Sequence, residues 1–292
     1  MCRLAAYIGR PLLINDVMSR PKVSLIKQSA SATETDVTLN GDGFGIGWYT
    51  PEVSDNPAVF VSSLPAWNDT NLKNMSHQIK SPCFFAHVRA AGEGSVNQSN
   101  CHPFHFEKYL MMHNGGIGGF KTIKLALLNH LSPRFFENIK GQTDSEVLFA
   151  LWLTELEKIT DISTVDQKSM TLAWENTLKI INKIQDDHEI RDTTYINAII
   201  TDGVQMIGTR YVRHGTAPLT LHYTAGSAFV HSHGSCRMIP KSERETLDQY
   251  DAILIASEKL TGDDEGWENI PDQHFIFVDR YKRVHLDPIK NI

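Results

Sequence analysis

The chain opens Met1-Cys2-Arg3-Leu4-Ala5-Ala6-Tyr7-Ile8-Gly9. Residues 2 to 9 are mostly apolar or small, which reads as a short buried strand, and Gly9-Arg10-Pro11 is expected to end it. Cys2 sets this strand apart. A small residue beside the initiator Met1 favours removal of Met1, which would leave Cys2 with a thiol and a free α-amino group. Such an amine has a pKa of about 8 and a thiol about 8.5, so the amine can take the thiol's proton. The plain alternative is a small apolar side chain in a buried strand, where free cysteine is often found. Both readings stand on these residues alone.

Further along, Phe44-Gly45-Ile46-Gly47-Trp48-Tyr49 alternates large and small residues, as a strand does when another backbone lies close against it. Strands are also expected at 58–61, 82–89 and 109–113. Helices follow over 122–131, 144–158 and 169–184, the last with Leu172, Leu178, Ile181 and Ile184 on one stripe. Residues 69–80 carry weaker helical spacing, and 21–32 read as a short helix or a loop. Strand composition returns at 195–201, 205–211, 219–224, 252–257, 274–279 and 283–286, with Asp202-Gly203 as a hairpin signal. Strands, then helices, then strands suggest an α+β arrangement in which helices cover stacked sheets. One domain is expected for the 292 residues.

Composition excludes several classes. The chain is 41% hydrophobic and 21% charged with a net charge of −6, so it can build a core but offers no basic surface for nucleic acid. No stretch approaches 18 apolar residues, so no membrane span is expected. The apolar start is broken by Arg3, Gly9, Arg10 and Pro11, unlike a signal peptide. Cys2, Cys83, Cys101 and Cys236 form no C-x-x-C pair, which argues against zinc and against a disulfide scaffold. A reduced, cytoplasmic protein is expected.

Chemistry-bearing residues gather where strands end. Arg89 follows the buried-type run Phe84–Val88, and its planar fork suits a carboxylate; an internal salt bridge is the competing reading. Asn114-Gly115 closes the 109–113 strand and offers an amide NH2 beside a flexible backbone N–H, the two donors of an oxyanion hole, or else a simple turn. Thr143-Asp144-Ser145-Glu146 has the composition of a capped helix start. Capping leaves Asp144 unused, and its carboxylate suits an ammonium. His87, His102 and His113 match no compact ligand spacing, so a metal is not expected. The glycines of residues 41–47 lead into a strand rather than opening a helix, and no G-x-x-x-x-G-K-[ST] is present, so they are not read as a phosphate cradle.

Taken together, Met1-Cys2-Arg3, Asn40–Tyr49, Phe85–Ala91, Asn100–Phe104, His113-Asn114-Gly115 and Gly141–Glu146 resemble the class II glutamine amidotransferases of the N-terminal nucleophile hydrolase superfamily. Gly208–Tyr211 and Ile255–Glu258 fit as well. The resemblance covers most of the chain in order and is closest to stand-alone members that cleave γ-glutamyl amides. It implies a four-layer αββα sandwich, a single type-2 amidotransferase domain over residues 1–292 (2–292 when mature) and no cofactor. It implies Cys2 as nucleophile with its own amine as base, and Asn114 and Gly115 as oxyanion hole. Arg89 would bind the substrate α-carboxylate and Asp144 the α-ammonium, with His113 also counted among the substrate-binding residues. No acceptor domain is expected after the strands that complete the fold, so the amine would pass to water or to a separate partner subunit; a homo-oligomer is a further expectation.

Ala90-Ala91-Gly92 departs from the Thr or Ser that many relatives carry after the arginine, and Lys259 from a frequent proline. Leaving-group selection is expected from the rim loops 21–40 and 234–244. Two other classes compete: an idle γ-glutamyl-binding or regulatory subunit, and an N-terminal nucleophile acylase for non-glutamyl amides, which has no use for the Arg89 and Asp144 clamp.

Overall fold

Alternation along the first strand, Arg3–Leu13 (β1), sorts its side chains onto two faces. Leu4, Ala6 and Ile8 join one apolar cluster, while Ala5 and Tyr7 join another. The fourth strand, Lys80–Val88 (β4), repeats the pattern, with Cys83 and Phe85 in the first cluster and Phe84, Ala86 and Val88 in the second. A strand apolar on both faces has to be covered on both, and that requirement sets the layering.

The computed structural model describes residues 2–34, 38–92, 94–215, 217–232, 235–241, 251–261, 266–290 and 292. The other elements before the long helices are α1 (Asn15–Met18), α2 (Leu25–Ala30), β2 (Phe44–Thr50), β3 (Ser54–Ser62), α3 (Thr70–Ser76), β5 (Phe104–Phe106) and β6 (Tyr109–Gly116). Then come α4 (Phe120–Leu128), α5 (Pro133–Phe136), α6 (Asp144–Ile159) and α7 (Gln167–Asp187). The last part holds β7 (Thr194–Thr201), β8 (Met206–Arg213), β9 (His222–Gly226), β10 (Ala228–Ser232), β11 (Ser235–Ile239), β12 (Ala252–Ala256), β13 (Glu268–Asn269), β14 (His274–Val278) and β15 (Val284–Pro288).

Among the described residues, one sheet runs β13-β9-β12-β1-β4-β2-β3 and a second β15-β14-β8-β7-β6-β5. The neighbouring strands are antiparallel. Leu4, Ala6, Ile8 and Phe85 of the first sheet pack with Leu110, Met112, Ile199 and Ile276 of the second. Helices α6 and α7 cover the second sheet's other face through Leu148, Trp152, Trp174 and Leu178. Helices α1 and α2 cover the first sheet's other face through Val17, Met18 and Leu25. The layers are αββα, as the resemblance implies. Each fully buried Leu, Ile or Phe contributes about 1.5–3 kcal/mol, so these three interfaces supply most of the driving force.

Several elements differ from their sequence reading for identifiable reasons. β1 continues through Gly9-Arg10-Pro11, where an end was expected. The β1–β4 register shifts between Ile8 and Leu12, from Ile8↔Cys83 to Leu12↔Ser81. Pro82, which has no N–H to donate, sits opposite the interruption, so the bulge accommodates what would break a regular ladder. Leu172 lies off the buried stripe of α7 and is exposed; Met170, Ala173, Trp174, Thr177, Leu178, Ile181 and Ile184 form that stripe. The segment expected as a rim loop from 234 holds β11, paired antiparallel with β10. Phe229 and Cys236 of this strand pair are buried in the cluster under α1. Residues 234 and 242–244 of that loop lie outside the described residues, as do 35–37 of the other.

Candidate active site

Three strands bring the predicted residues to one end of the sandwich. Arg3 pairs with Val88, so Cys2 lies one register step further, opposite Arg89. The ladder on β4's other side also continues past the strand, with Arg89 N donating to Gly43 O at 2.8 Å and Arg89 O accepting from Asp42 N at 3.0 Å. By alternation Cys2 belongs to the inner face with Leu4 and Ala6. Its thiol donates to Ala90 O at 3.4 Å. Burial pushes the thiol's pKa up, and the Arg89 and Arg3 guanidinium groups pull against that shift. Met1, whose removal is expected, lies outside the described residues.

The end of β6 supplies the donor pair. Leu110 and Met112 face the inter-sheet core, and Asn114 falls on the same side by alternation. Asn114 is fully buried, yet neither its Nδ2 nor its Oδ1 has a hydrogen-bond partner. An orphaned buried amide costs about 1–3 kcal/mol, a cost expected where a ligand completes the pairing. Gly115 has φ of +149°, and a Cβ there would lie 2.0 Å from Tyr195 O, so only glycine fits.

His113 faces the helix layer instead. Its Nε2 donates to Tyr195 O at 3.1 Å, and its Nδ1 lies 2.9 Å from Ser145 Oγ. A carbonyl only accepts, so Nε2 carries a proton; in the neutral ring Nδ1 is then an acceptor, and the Ser145 hydroxyl lies between it and Asp144 Oδ1, 3.3 Å away. Burial lowers the His113 pKa, with the Asp144 charge opposing, and the ring is neutral in this arrangement. Both ring nitrogens are thus used within the protein.

Asp144 opens α6, where Thr143 Oγ1 accepts from Glu146 N at 3.3 Å. The expected reciprocal cap is absent: the Glu146 carboxylate accepts from Lys140 N and Gly141 N, both at 2.7 Å. Asn100 Oδ1 accepts from Gln142 N at 2.8 Å, joining the loop before α6 to the loop after β4. Asp144 Oδ2 accepts from Ile117 N and Oδ1 from Ser145 N, each at 2.8 Å. Ser145 Oγ also lies 3.3 Å from Oδ1, so Oδ2, with one donor, is the oxygen that keeps lone-pair capacity for an ammonium. Arg89 is 3% exposed, and its Nη1 donates to Ser95 O at 3.2 Å.

Cys2, Arg89, His113, Gly115 and Asp144 line one cleft of about 700 Å³, whereas Asn114, fully buried next to Gly115, is not among its lining residues. That volume suits a small amino-acid-like molecule with room beyond it. Among the described residues, none from 21–40 or 234–244 lines it. Its outer walls are Ala90–Gly92, Ile117–Thr122 and Asp192, Thr193 and Tyr195, so selection by the expected rim loops is not what the described part of the cleft supports. The wall at Asp192–Tyr195 had no signal in the sequence, being a short polar approach to a strand. His102 also lines the cleft, with its ring 4.2 Å from that of His87. Burial holds His87 down to about 3 and His102 well below the ordinary range, so both rings are neutral. Among the described residues no group of three or more His, Cys, Asp or Glu is placed to hold a metal, and no helix is long and apolar enough to cross a membrane.

With this geometry in place, residues 15–286 match the family described as glutamine amidotransferases class-II. The chain belongs to that family. It is a class II glutamine amidotransferase-like protein, within a family of enzymes acting on amide bonds. It is similar to the probable glutamine amidotransferase DUG3 of Saccharomyces cerevisiae, 35% identical over 99% of this chain and 84% of the relative. A gamma-glutamyl-hercynylcysteine sulfoxide hydrolase of Mycolicibacterium smegmatis is 23% identical over 99% of this chain and 100% of that protein. A solved glutamine aminotransferase class-II domain protein of Silicibacter pomeroyi superposes with a TM-score of 0.66 at 22% identity, covering 99% of this chain and 100% of that one. Glutamine PRPP amidotransferase of B. subtilis gives 0.60 at 15%, covering all of this chain and 50% of that one. These two likenesses show the fold, which is that of the N-terminal nucleophile hydrolases.

Proposed function

We propose that residues 2–292 act as one catalytic domain that hydrolyses a γ-glutamyl amide through a γ-glutamyl thioester on Cys2. The observation that carries this reading is the buried, unpartnered Asn114 amide next to Gly115, which lines the cleft together with Cys2.

After Met1 is removed, the α-amine of Cys2 takes the thiol proton and the thiolate attacks the γ-carbonyl carbon. The oxyanion that forms is held by Asn114 Nδ2–H and Gly115 N–H. The ammonium returns its proton to the departing nitrogen as the C–N bond breaks, leaving the thioester. Water then attacks, with the same amine as base, and glutamate leaves with the thiol restored. Arg89 holds the α-carboxylate and Asp144 the α-ammonium, so the amide is delivered over Cys2 by its head group. His113 positions rather than binds, because it ties β6 to Ser145 and Tyr195. The substrate is a small γ-glutamyl compound, glutamine included, and the amine passes to water or to a partner subunit. A reducing, cytoplasmic setting suits four cysteines that are all free.

A screen of γ-glutamyl amides tests this reading, using the Met1-free protein with Cys2→Ala as the blank. Turnover that survives Cys2→Ala, or full turnover in a form that retains Met1, would overturn it. Glutamate binding without turnover would indicate an idle binding subunit.

A further inference from the structure

Removing Met1 would make the nucleophile the terminal residue of a strand, and chain ends fray unless something ties them down. Cys2 is tied through its neighbour. Arg3 Nη1 reaches back to donate to Cys2 O at 2.9 Å. That guanidinium is 2% exposed, and its Nε lies 2.8 Å from the Glu258 carboxylate, itself 1% exposed. Glu258 sits just beyond β12, the strand that flanks β1 on the side away from β4. It is held in turn by Thr33 N and Thr33 Oγ1, each at 3.1 Å, and by Glu34 N at 2.9 Å. Next to it, Ser257 carries on the β1–β12 pairing past the strand end: its N donates to Leu4 O at 3.1 Å and its Oγ accepts from Leu4 N at 3.0 Å.

We propose that Glu258 is a positioning residue for the Cys2 nucleophile, acting through Arg3. A buried guanidinium needs a carboxylate to remain charged and fixed, and Glu258 is the carboxylate paired with it. Fixed there, Arg3 holds the Cys2 carbonyl, and this sets the direction in which the terminal amine and thiol enter the cleft. The arrangement also links the nucleophile to Thr33 and Glu34, a segment that does not line the cleft. Glu34 continues the chain of contacts outward, its Oε2 lying 2.9 Å from His222 Nε2. Arg3 and Glu258 are engaged with each other and with backbone groups and do not line the cleft, so their effect is on geometry.

The inference rests on the nucleophile reading above, and the test separates the two. Glu258→Gln, with Met1 removal verified by mass spectrometry, is expected to lower kcat for a γ-glutamyl amide at least tenfold with KM within about twofold. It should also displace the pH profile of Cys2 alkylation by iodoacetamide. Arg3→Lys keeps the charge without the fork, so kcat should fall while the alkylation profile stays near wild type. Should Glu258→Gln fail to fold, the double variant Arg3→Met with Glu258→Gln leaves no unpaired buried charge and should show the same loss of kcat with a cooperative melt. Wild-type kcat in a folded Glu258→Gln or double variant, alongside an inactive Cys2→Ala, overturns the positioning role alone. An active Cys2→Ala overturns the nucleophile reading itself.

Discussion

Cys2 and Arg89 stand opposite each other across the β1–β4 pair, one step past Arg3 and Val88. The pairing register that builds the sheet therefore places a thiol beside a guanidinium without any long loop to position either. Asn114 arrives from the other sheet by the same rule of alternation, so the two walls of the sandwich supply different parts of the chemistry.

The clamp makes the first test. Arg89→Lys keeps the positive charge but loses the planar fork. A charge-assisted contact of about 1.5–3 kcal/mol translates to a fall of roughly 10- to 150-fold in kcat/KM, chiefly through KM. Asp144→Asn should act in the same direction, since its Oδ1 can still accept from Ser145 N while the charge is gone. Steady-state kinetics on a chromogenic γ-glutamyl anilide check both; an unchanged KM in Arg89→Lys contradicts the clamp.

The donor pair predicts a different signature. Asn114→Ala should lower kcat by roughly 100- to 1,000-fold with little change in KM, because its amide serves the oxyanion rather than the bound substrate. Relief of the orphaned amide should leave the melting temperature equal or higher. A loss expressed wholly in KM would contradict the assignment.

Strand β2 was legible from its glycines. A Cβ on Gly45 would lie 2.2 Å from His102 O, which is the close backbone approach that the large–small alternation implies. Gly45→Val should cost about 1–3 kcal/mol of stability by overpacking and should impair turnover, since His102 lines the cleft. Thermal melting and the same anilide assay measure the two effects together. A wild-type melt would show that the loop yields freely.

Acid should destabilise the protein before its carboxylates are protonated. Unfolded His87 takes up a proton below about pH 6.5, whereas the folded ring resists until about 3. Between those values the unfolded state binds more protons, so stability is full above the window and falls as pH falls through it. The loss from this residue is about 2 kcal/mol at pH 5. Urea midpoints at pH 7.5 and pH 5 measure it, and His87→Gln should show the smaller drop. An equal drop in both contradicts the assignment to His87.

Much of the fold could be read because the signals were local. The helix from Asp144 begins where Thr143 marked it, and Arg89 emerges where a buried run meets a charge. What could not be read depends on partners distant in sequence. The bulge at Gly9–Pro11 exists because Pro82 lies across from it, and β10–β11 forms because its apolar residues find α1. The Arg3–Glu258 pair spans nearly the whole chain. Its traces were a charged residue inside an apolar strand and the distant Ile255–Glu258 stretch, and neither pointed to the other. His113 was marked by its neighbours Asn114 and Gly115, but only the structure shows both its nitrogens engaged with Ser145 and Tyr195.

The most direct test of the central claim is peptide mass spectrometry after treatment with a diazo-ketone analogue of glutamine. The expected result is one adduct per chain, on Cys2 of a chain that lacks Met1, prevented by excess glutamate. An adduct on Cys83, Cys101 or Cys236, or equal labelling of a chain that retains Met1, would contradict the account.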